Sequence, residues 1–169
     1  MKTIWFIGND EKTLTTIAEL VGEGLITRNQ FAEIIEHSEI EEILGRGLKD
    51  LKEDKATFTD RLGFLGHLLH KNNIFALVVS NKASLEDRKA VKDSYKNYLQ
   101  VEACYGKPFK EKDPLSDLVL DIEDDPKTGA KTIIKYLTTQ NLIPEHAQEV
   151  YSKEEEEEIR RRLEELGYV

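Results

Sequence analysis

The sequence predicts an α/β protein, a doubly wound parallel sheet of about five strands with helices on both faces. Three observations carry this reading. Short apolar runs alternate with segments of helical period along most of the chain, as βαβ units require. The run Ile74–Ser80 (Ile-Phe-Ala-Leu-Val-Val-Ser) is almost wholly apolar, the pattern of a strand covered on both faces. A length of 169 residues with 39% hydrophobic side chains is enough for one sizeable core and too little for two.

Taken in order, Lys2 to Gly8 is a strand ending in glycine, followed by a helix on which Leu14, Ile17, Ala18 and Val21 share a face. Phe31 to Glu36 is a second strand, and Ile40, Ile43, Leu44, Leu48 and Leu51 then repeat at helical spacing. Phe58, Leu62, Leu65 and Leu69 mark another helix, whose Gly63 and Gly66 allow a close approach to a neighbour. After Ile74–Ser80 come a charged helix from about Ser84 to Lys96, a strand over Tyr98–Cys104, a strand over Asp117–Asp121, and a helix carrying Ala130, Ile133, Ile134 and Leu137. These elements place one α/β domain at residues 1–143 and an extension at 144–169.

The extension differs in character. Ser152 with Glu155 has capping-box spacing, the run Glu154–Glu158 suits a helix start, and Gly167 suits its end. Glu156/Arg160, Glu157/Arg161 and Glu158/Arg162 fall at i, i+4, and Ile159, Leu163 and Leu166 form a narrow apolar stripe. Such a helix packs on its own domain, docks onto a protein partner or mediates self-association.

Charge and cysteine usage exclude several classes. With 24 Lys+Arg against 33 Asp+Glu the formal charge is −9 and no basic stripe interrupts it, so nucleic acid is not an expected partner. No run approaches the roughly 18 apolar residues of a membrane span, the opening lacks the pattern of a leader, and a cytoplasmic location is expected. The single cysteine, Cys104, allows neither an internal disulfide nor a cysteine metal cluster and reads as a small hydrophobe. His67 and His70 lie three apart without a third ligand at useful spacing, so no metal site is expected.

Chemistry in such a sheet belongs at the turn after the first strand. There, Gly8-Asn-Asp-Glu-Lys-Thr-Leu-Thr15 keeps the length of a phosphate-binding G-x-x-x-x-G-K-[ST] loop, with its first glycine and its final hydroxyl. Thr13 replaces the second glycine and Leu14 the lysine, which are the two residues that bring amides and positive charge to a phosphate.

Ile4-Trp-Phe-Ile-Gly8 followed by Thr15-Thr-Ile-Ala18 resembles the opening of adenylylsulfate (APS) kinases. Asp54–Leu69 with Arg61-Leu-Gly63, Ile74–Ser80 with Arg88-Lys-Ala-Val-Lys92, and Asp113-Pro114 with Asp117-Leu-Val-Leu-Asp121 and Ile133-Ile-Lys-Tyr-Leu137 resemble later segments of that family, in the same order, over about residues 2–143. The resemblance implies that Gly8, Lys12, Thr15 and Thr16 are vestiges of a nucleotide site, and Ser38, Arg61 and Ser80 vestiges of a substrate site.

The departures fall on the anion-handling positions. Beside the missing loop lysine, the family's Asp-Gly-Asp-Asn-x-Arg becomes Glu36-His-Ser-Glu-Ile-Glu41, which puts Ser38 for the catalytic carboxylate and Glu41 for the arginine. One arginine of a pair survives as Arg61, Ser-Pro-Tyr-Arg becomes Ser80-Asn-Lys-Ala83, and only Leu115 and Ser116 separate Asp113-Pro114 from Asp117 where the family has a long basic lid. No catalytic residue is therefore expected. The resemblance implies a non-catalytic module with a regulatory, nucleotide-sensing or assembly role linked to sulfate activation, taking at most a weak anion or adenine nucleotide and needing no cofactor. The alternatives are an active small-nucleotide kinase with a divergent loop, which would need ATP and Mg²⁺, and a receiver-like interaction domain.

Overall fold

The computed structural model describes residues 2–49, 52–106, 112–122 and 125–145, together with 158, 160–162 and 164. The elements run β1 (Thr3–Gly8), α1 (Glu11–Ile26), β2 (Phe31–Glu36), α2 (His37–Leu44), α3 (Lys52–Lys71), β3 (Ile74–Val79), α4 (Leu85–Tyr95), β4 (Tyr98–Tyr105), β5 (Leu118–Ile122) and α5 (Pro126–Thr139). The five strands form one sheet in the order β2-β3-β1-β4-β5, and every pairing is parallel.

Alternation along the strands splits the interior in two. Ile4 and Phe6 of β1, Phe75, Leu77 and Val79 of β3, and Leu99 and Val101 of β4 face α1 and α5. The intervening Trp5, Ile7, Ala76, Val78 and Tyr98 face the other way, against Phe58 and Leu62 of α3 and Val91 of α4. Both faces are thus covered, which accounts for unbroken apolar runs in β1 and β3. β3 is internal, as its composition predicts, while the centre of the five is β1.

Gly63 and Gly66 serve the close approaches expected of them. A Cβ at Gly63 would meet Val91 Cγ1 at 2.5 Å, and one at Gly66 would meet Thr3 Cγ2 at 2.9 Å. One expectation is corrected. The helical repeat that begins at Ile40 is not a single helix: α2 stops at Leu44, and a turn through Gly45, Arg46 and Gly47 follows, with Gly47 at φ +81°, while Leu51 lies outside the described residues. Glycine disfavours helix interior and tolerates that backbone, so the two glycines outweigh the apolar period. Leu44 and Leu48 still pack against the second core from either side of the turn.

In the extension, 158, 160–162 and 164 are helical. Arg162 pairs with Glu158 at 2.7 Å, as its spacing predicts, and Arg160 pairs with Glu164 at 3.5 Å. Ser152, Ile159, Leu163 and Gly167 lie outside the described residues. Among the described residues no helix is long and apolar enough to cross a membrane.

Candidate functional site

The carboxyl ends of parallel strands gather β1's Gly8, β2's Glu36 and the residues just after β3 along one edge of the sheet. The turn after β1 is short there. Only Asn9 and Asp10 separate Gly8 from the first residue of α1, so residues 11–15, which a phosphate loop would use as loop, are already helix.

Each residue of the turn is tied down. Gly8 is paired with Ala103 of β4, and a Cβ on it would lie 1.9 Å from the Ala103 carbonyl oxygen, so the site admits no side chain. The Gly8 amide donates to Asn81 Oδ1 at 2.9 Å. Asn9 accepts from the Tyr105 amide at 2.8 Å and donates to the Tyr105 carbonyl at 2.9 Å, which stitches the turn to the end of β4.

Asp10 is the N-cap of α1. Its carboxylate accepts from the Thr13 amide at 2.9 Å and from the Thr13 hydroxyl. Those two bonds, the hydroxyl's the stronger, hold the carboxyl below its usual range. A helix N-terminus attracts anions because its first amides lack partners. Here the Asp10 carboxylate already takes one of those amides, that of Thr13. Leu14, at the place of the loop lysine, is 1% exposed and belongs to the core shared with Ile17 and Ala18.

Lys12, Thr15, Thr16 and Ser38 come together, lining one open cleft of about 570 Å³ with Glu11, Glu19 and Glu36. Three carboxylates against one ammonium make this cleft repel a polyanion. The Thr16 hydroxyl is spent on the Lys12 carbonyl at 3.1 Å.

Ser80 and Arg61 lie elsewhere. Ser80 is fully buried, with Oγ 2.8 Å from His37 Nδ1, and its carbonyl accepts from the Trp5 indole at 3.1 Å. Arg61 donates to the Leu44 carbonyl and so closes the C-terminal end of α2.

A second cleft of about 700 Å³ opens beside His37, between α2 and α3, with Glu41, Lys82, Phe58 and Thr59 in its walls. His37 is buried, lies against Phe58 with ring centroids 4.5 Å apart and planes tilted by 47°, and turns Nε2 toward Glu41 at 3.6 Å. Burial first, and Lys82 second, lower its pKa, so the ring is neutral at pH 7. Glu41 is held ionised by its 2.7 Å pair with Lys82. The partnership of His37 with Ser80 spans 43 residues and left no local signal in the sequence.

Sequence reasoning also missed a polar network under the short crossover from β4 to β5. Buried Arg88 pairs with Asp113 and donates to the Ala83 carbonyl at 2.8 Å and to Gln100 Oε1 at 3.2 Å. Gln100 donates to Asp113 at 2.9 Å and to the Ser116 hydroxyl at 3.0 Å, and Ser116 donates to Glu102 at 2.9 Å. Its one sequence trace is Gln100 and Glu102 standing in an otherwise apolar strand. Cys104 is half-buried rather than buried, and burial with Glu102 and Asp121 nearby pushes its thiol upward, away from reactivity. Among the described residues no group of three or more His, Cys, Asp or Glu could hold a metal ion.

A family model described as adenylylsulphate kinase matches residues 1–111. The chain belongs to the adenylylsulfate kinase family. The receiver-like reading is thereby set aside. An adenylyl-sulfate kinase of Deinococcus deserti is 29% identical over 100 residues, 59% of this chain and 55% of that protein. A probable adenylyl-sulfate kinase of a Synechocystis strain is 30% identical over 99 residues, 59% of this chain and 56% of that protein. The match thus spans little more than half the length of these relatives. The APS kinase of Mycobacterium tuberculosis has the same fold, with a TM-score of 0.68 at 22% identity over 80% of this chain and 96% of that one. A second structure of that kinase, in complex with AMPPNP and APS, gives a TM-score of 0.67 at 18% identity.

Proposed function

We propose that this protein is a non-catalytic member of the adenylylsulfate kinase family, a regulatory, nucleotide-sensing or assembly module associated with sulfate activation. The observation that carries the reading is the Asp10 cap, which places a fixed carboxylate on the Thr13 amide, at the helix end that would receive a phosphate. Leu14 supplies no charge from below, and the neighbouring cleft holds Glu11, Glu19 and Glu36 against Lys12. These residues do not fit a magnesium–triphosphate. Phosphoryl transfer depends almost wholly on positioning and on electrostatic stabilisation of the transferred group, and neither is supplied at this edge.

The second cleft, around His37, Phe58 and Thr59, keeps an aromatic wall and a neutral imidazole, which favours retained binding of a small ligand over complete loss of function. A coupled assay with ATP and APS tests the reading and gives no turnover; rates in the kinase range of about 1–100 s⁻¹ would overturn it in favour of an active enzyme with a divergent loop. Leu14→Lys leaves the assay silent, since Asp10 and the acidic cleft remain. Thermal shift with ATP, ADP, APS and PAPS, with and without Mg²⁺, identifies which nucleotide, if any, is sensed.

A further inference from the structure

The face formed by α1 and α5 carries a groove of about 740 Å³ that is basic on a chain of net charge −9. Lys127, Lys131 and Lys135 stand along α5 at i, i+4, i+8, and Arg28 lies opposite, just beyond α1. All three lysines are exposed, and among the described residues none has an ion-pair partner. The Arg28 Nε–H is buried without an acceptor. Leu20 and Ile134 make the floor apolar, and Glu23 and Glu145 are the two carboxylates that also line the groove. Four cations therefore face two anions over an apolar strip.

The main described body ends at Glu145, on the wall of this groove. Eight residues then lead to Glu154–Glu158, a tether of at most about 28 Å when extended. The three lysines span about 12 Å of helix, so the acidic run reaches every one of them. Behind it come Ile159, Leu163 and Leu166 at the spacing of one helical face. We infer that the C-terminal segment docks in cis into the α1–α5 groove, its glutamates on Arg28, Lys127, Lys131 and Lys135 and its apolar stripe on Leu20 and Ile134. The occupant is this chain's own segment because a tether that short gives an effective concentration in the millimolar range, above that of any second copy.

Amide hydrogen exchange on the full chain tests this. In the wild type, amides of residues 154–166 exchange roughly tenfold more slowly than in Lys127→Glu/Lys131→Glu/Lys135→Glu, since several individually modest ion pairs act together. Adding Glu154→Lys/Glu155→Lys/Glu156→Lys to that variant restores the protection, and amides of α1 and β1 stay unchanged throughout, which reports an intact core. Equal exchange of the segment in the wild type and the triple variant overturns the inference, as does failure of the charge swap to restore protection. Protection that grows with protein concentration also overturns it, and assigns the groove to a second copy.

Discussion

Two carboxylates anchor loops of the sheet, Asp10 on the turn after β1 and Asp113 on the crossover from β4 to β5, and they are held in different ways. Asp10 is reached by solvent and is satisfied by its own helix, three residues away. Asp113 is 16% exposed and answers to Arg88, 25 residues distant and 8% exposed, within a network that also holds Gln100, Ser116 and Glu102. A local, solvated cap can be exchanged without disturbing anything else. A desolvated pair stabilises the fold only while both members are present.

Breaking the buried side gives the largest effect. Arg88→Ala leaves the Asp113 carboxylate without its counter-charge and the Ala83 carbonyl without that donor, and urea unfolding registers a loss of about 3–5 kcal/mol. Arg88→Met with Asp113→Leu loses much less than the single change, because no charge is left unpaired. Equal losses would show that packing, not charge, dominates there.

The turn after β1 is next, and its sensitive residue is Gly8 rather than Asp10. Gly8→Ala forces a Cβ against the Ala103 carbonyl, and unfolding should show a loss of about 1–3 kcal/mol, the cost of an overpacked site. A neutral Gly8→Ala would mean that β1 and β4 separate readily at their ends.

A pH profile separates the His37 cleft from both carboxylates. The folded-state pKa of His37 lies below the unfolded value of about 6.5. The unfolded chain therefore takes up the proton first as pH falls, so the neutral imidazole's stabilising contribution, complete above that value, is lost as pH drops through the folded pKa. Melting temperatures of the wild type should fall faster than those of His37→Gln between pH 7.5 and 5.5. Parallel profiles would place the titration elsewhere.

The smallest effect is at Asp10 itself. Asp10→Asn with Glu11→Gln keeps an N-cap acceptor and removes two negative charges, so phosphate binds severalfold more tightly by calorimetry at low salt and less so when the Debye length shrinks below about 10 Å. Tight ATP binding by the unmodified protein would erase the contrast between the two carboxylates.

The fold was legible because its signals are local. Apolar runs at Ile4–Ile7 and Phe75–Val79 and helical faces at Leu14–Val21 and Ala130–Leu137 need only neighbouring residues to be read. The same held for Leu14 as a core residue. The repeat from Ile40 to Leu51 misled because apolar spacing says nothing of the left-handed backbone at Gly47. The candidate site was legible in part. Lys12, Thr15, Thr16 and Ser38 do share a cleft, while Arg61 and Ser80 are occupied elsewhere.

By itself the sequence determined a parallel α/β sheet with two covered faces and a helix after β1, since composition and period encode both. Tertiary structure alone decided that His37 spends a ring nitrogen on Ser80 and that Arg88 meets Asp113. Those partnerships depend on which strand ends the parallel crossovers bring side by side, and a hydrogen bond between residues 43 positions apart leaves no mark in either residue's neighbours.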